Sequence, residues 1–184
     1  MREGNVRKIL LMGLPSSGKT RLTVSQLVFL PKPIIFFSEL SREVLEKMDG
    51  NLDKTEVVLK TPDIEGIESL DDTEYQTIII DHLLRVKNIN SITTRNRLTE
   101  ALEKSRKEWI IIAHLLKGEQ NISIWSDRRM IGTVEAVDLV FGLIRNKGRD
   151  GDFLKLNILK DRYGDFLGYN ALYPKKGFSV FHRF

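Results

Sequence analysis

Short runs of unbroken apolar residues recur along the chain, separated by longer stretches of mixed character. Lys8-Ile9-Leu10-Leu11-Met12, Ile34-Ile35-Phe36-Phe37, Thr77-Ile78-Ile79-Ile80 and Trp109-Ile110-Ile111-Ile112-Ala113 are apolar at successive rather than alternate positions. Strands covered on both faces read this way, as the central strands of a parallel sheet do. Val57-Val58-Leu59 is shorter and suits a peripheral strand. Val137 to Ile144 and Phe153 to Leu159 predict two further strands, with Gly148-Arg149-Asp150-Gly151 as a hairpin-like turn between them. Two more short β candidates fall around Ala171–Tyr173 and Phe178–Phe181.

Helical stretches sit between the early strands. One is expected from Lys19 to about Phe29, stopped before Pro31-Lys32-Pro33. Ser41 suits an N-cap for a helix through Met48, which Asp49-Gly50-Asn51 would end. Leu98, Ala101, Leu102 and Ser105 fall at i, i+3, i+4 and i+7, predicting a helix over roughly Thr94 to Lys107. The pairs Glu100/Lys104 and Glu103/Lys107 support its exposed face. After residue 110 the helices thin out while strands continue. The pattern predicts an α/β fold: a mostly parallel central sheet flanked by helices, finishing in C-terminal antiparallel β-hairpins. No repeat or linker divides the chain, so residues 1–184 are expected to form a single domain.

Composition narrows the chemistry. The chain has no cysteine, which excludes disulfides and thiolate metal sites. No segment approaches the ~18 uninterrupted apolar residues of a membrane span, and the N-terminus lacks a signal-peptide layout. A cytoplasmic protein with no membrane partner is the expectation. A net charge of +4 permits contact with polyanions without demanding it.

The strongest chemical signal is Gly13-Leu14-Pro15-Ser16-Ser17-Gly18-Lys19-Thr20, which matches G-x-x-x-x-G-K-[ST] at every fixed position. An apolar strand precedes it and a helix-forming run follows, the context in which that pattern cradles phosphates. Its glycines let the backbone turn N–H groups inward, and the helix start aims a positive dipole end at the same anion. Lys19 is expected on the β- and γ-phosphates and Thr20 on Mg²⁺, with ATP as the nucleotide. Such a metal also needs a carboxylate at the end of a neighbouring strand, and Asp81 directly follows Ile78-Ile79-Ile80. Glu39, just past the second apolar run, is placed to polarise an attacking water.

The order of these segments resembles the RecA-type P-loop ATPase core of DnaB-type replicative helicases, over roughly Arg7 to Arg183. Phe36-Phe37-Ser38-Glu39-Leu40-Ser41 is similar to the family's Phe-Phe-Ser-Leu-Glu-Met-Ser, and Asp81-His82-Leu83-Leu84 to its Walker-B ending. His114-Leu115-Leu116-Lys117 stands where the family has Gln-Leu-x-Arg, with histidine in place of the γ-phosphate-sensing glutamine. Ile131 to Asp138 resembles the family's Ser-Gly-x-Ile-Glu-x-x-Ala-Asp, and Lys160-Asp161-Arg162-Tyr163-Gly164 fits its Lys-x-Arg-x-Gly.

The resemblance implies a RecA-like fold and a catalytic set of Lys19, Glu39 and His114 from one subunit. Lys160 and Arg162 would come from the next, because the family's ATP lies at a subunit boundary. It implies a homo-oligomer such as a hexamer, or a partner ATPase. The family carries an extra N-terminal domain, whereas the first strand is expected here almost at once. Partner-supplied oligomerisation is therefore one expectation.

Two basic stretches are candidates for single-stranded DNA. Arg85, Lys87, Arg95 and Arg97 lie in a segment without acids, and Arg128 and Arg129 lie where the family places channel loops. A solvated face accounts for either stretch equally well. A helicase-like motor leads. A recombination or annealing ATPase, a partner-binding regulatory ATP switch and a small-molecule kinase are the alternatives. His82 and His182 have no metal-ligand spacing and read as ordinary structural or surface residues.

Overall fold

The four apolar runs form the middle of one sheet. The structure, a computed structural model, describes residues 7–48, 52, 55–59, 61–115, 128–148, 151–164 and 170–172. The strands are β1 (Lys8–Gly13), β2 (Ile34–Ser38), β3 (Thr55–Val58), β4 (Thr77–Asp81), β5 (Glu108–His114), β6 (Leu139–Gly148), β7 (Gly151–Asp161) and β8 (Asn170–Leu172). They join in an eight-stranded sheet of order β3-β2-β4-β5-β1-β6-β7-β8. β1 to β6 are mutually parallel, and β6, β7 and β8 pair antiparallel. The short Val57 run lies at the sheet edge, in β3.

Successive apolar positions are needed because each central strand buries both faces. Leu10 and Met12 of β1, Ile78 and Ile80 of β4 and Ile111 of β5 pack under one helical layer. That layer holds α3 (Ile64–Ser69), α4 (Ile92–Lys104) and α5 (Ile131–Ala136), which contribute Ile64, Ile67, Leu98, Leu102 and Val134. The intervening Phe36, Ile79 and Ile110 face Val24 of α1 (Lys19–Gln26) and Leu45 of α2 (Arg42–Glu46) on the other side. Ile9 and Leu11 continue that second face, with Leu22 of α1 and Phe141 of β6.

Several helices differ from expectation. The first ends at Gln26, and a 3₁₀ turn over Leu27–Phe29 completes the stretch. Ser41 is the N-cap residue of α2 in extended conformation, but that helix ends at Glu46 rather than Met48. The helix α4 begins at Ile92 and ends at Lys104, short of the predicted Lys107. Ser105, counted as an apolar-face position, leaves the helix to form a polar knot. Its hydroxyl donates to Asp71 Oδ1 at 2.7 Å and accepts from the Trp109 indole at 3.0 Å. The Glu100–Lys104 pair forms at 3.4 Å. Lys107 lies beyond the helix and donates instead to the Thr73 carbonyl at 2.6 Å.

Helices α3 and α5 were not expected. Asp63 caps α3 by accepting from the Gly66 N–H at 2.8 Å. Gly132 lets α5 approach α4 so closely that a Cβ there would lie 2.4 Å from Thr99 Oγ1. Gly148 and Gly151 form the last rung of the β6–β7 hairpin. The residues between them, the turn at 49–51, the segment 116–127, the Phe178–Phe181 candidate and His182 lie outside the described residues.

Candidate nucleotide site

Parallel strands end together, so the residues just past β1, β2, β4 and β5 share one edge of the sheet. Gly13 ends β1 and pairs with His114 of β5 on one side and Leu143 of β6 on the other. A Cβ at Gly13 would lie 2.6 Å from the Leu143 carbonyl oxygen, so the loop can start there only with glycine. Ser16 (φ 62°) and Gly18 (φ 92°) are left-handed, and this reverses the chain into α1.

Lys19 is buried. Its ammonium donates to the Gly13 carbonyl at 2.9 Å, the Leu14 carbonyl at 2.6 Å and Ser17 Oγ at 3.2 Å. Burial lowers its pKa to about 8, against the opposing pull of the Asp81 carboxylate. Thr20 Oγ1 donates to Asp81 Oδ2 at 2.8 Å, bridging the start of α1 and the end of β4. Asp81 is itself buried, and that burial raises its pKa although Thr20, His82 and Lys19 each act the other way.

A cleft of about 360 Å³ lies over these groups, lined by Ser16, Gly18, Lys19, Thr20, Arg21, Glu39, Leu40, Met48, Asp81, His82 and His114. The fold therefore brings five predicted residues together: Lys19, Thr20, Asp81, Glu39 and His114. Glu39 forms an ion pair with Arg85, which a 3₁₀ turn over Leu83–Arg85 places beside it. One candidate base and one candidate DNA-binding cation are thus partners.

His82 was missed. Its ring stacks on that of His114, centroids 4.2 Å apart and planes 27° from parallel. Burial, the Lys19 charge and His82 hold the pKa of His114 down at about 4, and burial likewise lowers that of His82. Both rings are neutral at pH 7. The sequence signal was available: each histidine ends an apolar run, and neighbouring parallel runs end side by side.

The residues suit a magnesium nucleotide. A buried carboxylate whose protein partner is one hydroxyl, next to a buried ammonium, is a hard-oxygen site for a divalent cation beside phosphate. Among the described residues no group of three or more His, Asp or Glu could hold a metal alone. Phosphate oxygens and water would complete the shell, as is usual for Mg²⁺. Thr20 and Asp81 would hold the ion.

Lys160 and Arg162 lie elsewhere. The Lys160 ammonium caps α5, donating to the carbonyls of Val134 (2.6 Å), Glu135 (3.0 Å) and Val137 (2.6 Å). Arg162 meets Asp138 Oδ1 at 3.0 Å and the Glu135 carbonyl at 2.7 Å. Asp138 also accepts from the backbone N–H of Lys8 at 2.9 Å, so this cluster sits at the start of β1. The P-loop begins at the other end of β1, five steps of ~3.3 Å or roughly 16 Å away. Within one copy, these two residues do not reach the P-loop.

The basic stretch is partly neutralised by the fold. Arg97 donates to Glu65 at 2.8 Å and to Glu68 at 2.6 Å, acids that α3 brings in from outside the segment. Arg95 donates to the Asn90 carbonyl at 2.8 Å. Lys87 lines a separate open groove with Arg97 and Asn88. Arg128 opens the 3₁₀ turn Arg128–Met130 that leads into α5, and Arg129 follows it.

No family model matches the chain, and no curated protein matches it in sequence. Solved structures do match. One, the ATPase domain of a DnaB-like helicase, superposes with a TM-score of 0.68 over 90% of this chain and 80% of that one, at 13% identity. Matches to 286 solved chains make this a likeness of fold, which many functions share. Among the described residues no helix is long and apolar enough to cross a membrane. The resemblance carried by the motifs thus extends to three dimensions: the chain has a RecA-like α/β fold, with a parallel core and an antiparallel C-terminal hairpin.

Proposed function

We propose that this chain is a RecA-type ATPase that binds ATP and Mg²⁺ in the cleft between α1 and the ends of β2, β4 and β5. The observation that carries the reading is the 2.8 Å contact from Thr20 to the buried Asp81, with the buried Lys19 ammonium alongside. When bound, Mg²⁺ neutralises phosphate charge and fixes the phosphate geometry. The chain's own residues do the rest. Lys19 exchanges its loop carbonyls for phosphate oxygens, Glu39 takes the proton of the attacking water, and His114 donates to the γ-phosphate.

Arg162 and Lys160 act on the site of a neighbouring copy, which is supported by their distance from their own P-loop. Single-stranded DNA is the partner that best suits the cation pattern. Arg85 is the cation with a route to the chemistry, because a phosphate that draws it away leaves Glu39 unpaired. On this reading the chain works as an oligomeric, DNA-stimulated motor. A regulatory switch that binds protein partners would share the nucleotide site but not the DNA response. The test is ATP turnover with and without single-stranded DNA. Stimulation supports the motor, whereas turnover indifferent to DNA in the assembled protein removes it.

A further inference from the structure

Two histidines at the ends of neighbouring strands raise a question the motif pattern does not pose. Asp81, the last residue of β4, pairs with Ile112 of β5, so His82 and His114 emerge from the same edge one strand apart. Their rings then stack at 4.2 Å. An imidazole at a strand end has free rotation about two torsions, and a ring packed against its face removes most of it. His114 is half-buried and has Lys19 close enough to act on it electrostatically. His82 lines the same cleft, and its Nδ1 is buried without a hydrogen-bond partner among the described residues. The face of His82 therefore makes its described contact with His114, and its buried nitrogen makes none.

We infer that His82 is a positioning residue: its ring clamps His114 in the orientation that distinguishes a nucleoside triphosphate from a diphosphate. This rests on the ATP-site reading and assigns a role to a residue outside the P-loop, the metal pair and the candidate base. The physical logic is preorganisation. A donor held in place before the phosphate arrives loses little freedom on binding it, so its hydrogen bond is expressed in affinity. A phenyl ring at position 82 would preserve the clamp, while a methyl group would release it.

The experiment measures affinity of the full chain for fluorescent ADP and for a non-hydrolysable ATP analogue, both with Mg²⁺. The variants are His82→Ala, His82→Phe, His114→Ala and the double alanine variant, with Lys19→Ala as control. His114→Ala is expected to lose roughly ten- to hundredfold of the preference for the triphosphate, the worth of one hydrogen bond to a charged group. His82→Ala loses most of the same preference with ADP affinity and melting temperature unchanged, and His82→Phe restores it. The double variant is no worse than His114→Ala.

Wild-type preference in His82→Ala overturns the inference, as does failure of His82→Phe to restore it. A loss of ADP affinity in His82→Ala also overturns it, because the residue would then be building the loop site rather than aiming His114. So does an unaffected His114→Ala. If Lys19→Ala binds both nucleotides as wild type does, the ATP-site reading itself is what has failed.

Discussion

Replacing Arg162 with alanine removes one side of an ion pair whose other side is buried. Asp138 has a side chain 4% exposed, against 43% for Arg162. A fully buried pair broken on one side costs roughly 3–5 kcal/mol, and an exposed pair ~0–1 kcal/mol. The Asp138 carboxylate also keeps the Lys8 N–H at 2.9 Å and the Tyr163 hydroxyl at 3.3 Å. An intermediate loss of about 1–2 kcal/mol follows from those limits. For a chain of this length that lowers Tm by about 2–8 °C. A domain stable by ~5–15 kcal/mol survives it. The catalytic loss for an arginine acting in trans is far larger, ~10³–10⁵ in turnover. Unfolding therefore cannot account for the lost activity. Thermal denaturation checks the first figure. The second is checked by turnover of Arg162→Ala alone and mixed with Lys19→Ala, since mixed assemblies contain some sites with both residues intact. An unchanged Tm refutes the stabilising ion pair. Wild-type turnover, or no recovery on mixing, refutes the trans role.

Other predictions test separate parts of the account. Burial raises the pKa of Glu108 above its usual 4.5, so stability falls as pH climbs from that ordinary value through the raised one. Glu108→Gln should therefore raise Tm at pH 7, with the gain vanishing below the ordinary carboxylate pKa; an equal gain at both pH values contradicts the assignment. Gly132→Ala places a Cβ 2.4 Å from Thr99 Oγ1 and should cost ~1–3 kcal/mol by denaturant melt. Adding Thr99→Ala should recover most of it, and no recovery would mean the α4–α5 contact is not the cause. Arg85→Ala should raise DNA-independent turnover and blunt its stimulation, because Glu39 loses the ion pair. If stimulation persists in full, Arg85 does not link the two.

How much of this was readable beforehand depends on the range of the interactions involved. β1, β2, β4 and β5 were legible because a strand buried on both faces must be apolar at every position. The phosphate loop was legible because Gly13, Gly18, Lys19 and Thr20 act through local backbone geometry. Asp81 followed from its place at the end of an isoleucine run. Helices α3 and α5 escaped because Gly66 and Gly132 weaken helical propensity, and both helices are short. What admits Gly132 is contact with Thr99, a neighbour far along the chain. The acid-free stretch from Arg85 to Arg97 looked uniformly basic. In the fold, Glu39, Glu65 and Glu68 meet two of its arginines. The histidine stack was hidden for the same reason: His82 and His114 meet through strand register, which spacing along the chain does not express.

The measurement closest to the central claim is calorimetric titration of the protein with ATP and Mg²⁺, comparing wild type with Lys19→Ala and Asp81→Asn. The account predicts that wild type binds, that Lys19→Ala loses at least ~tenfold in affinity, and that Asp81→Asn loses the Mg²⁺ dependence while keeping the fold. If wild type binds no nucleotide, or both variants bind as wild type does, the cleft is not a nucleotide site and the ATPase reading is wrong.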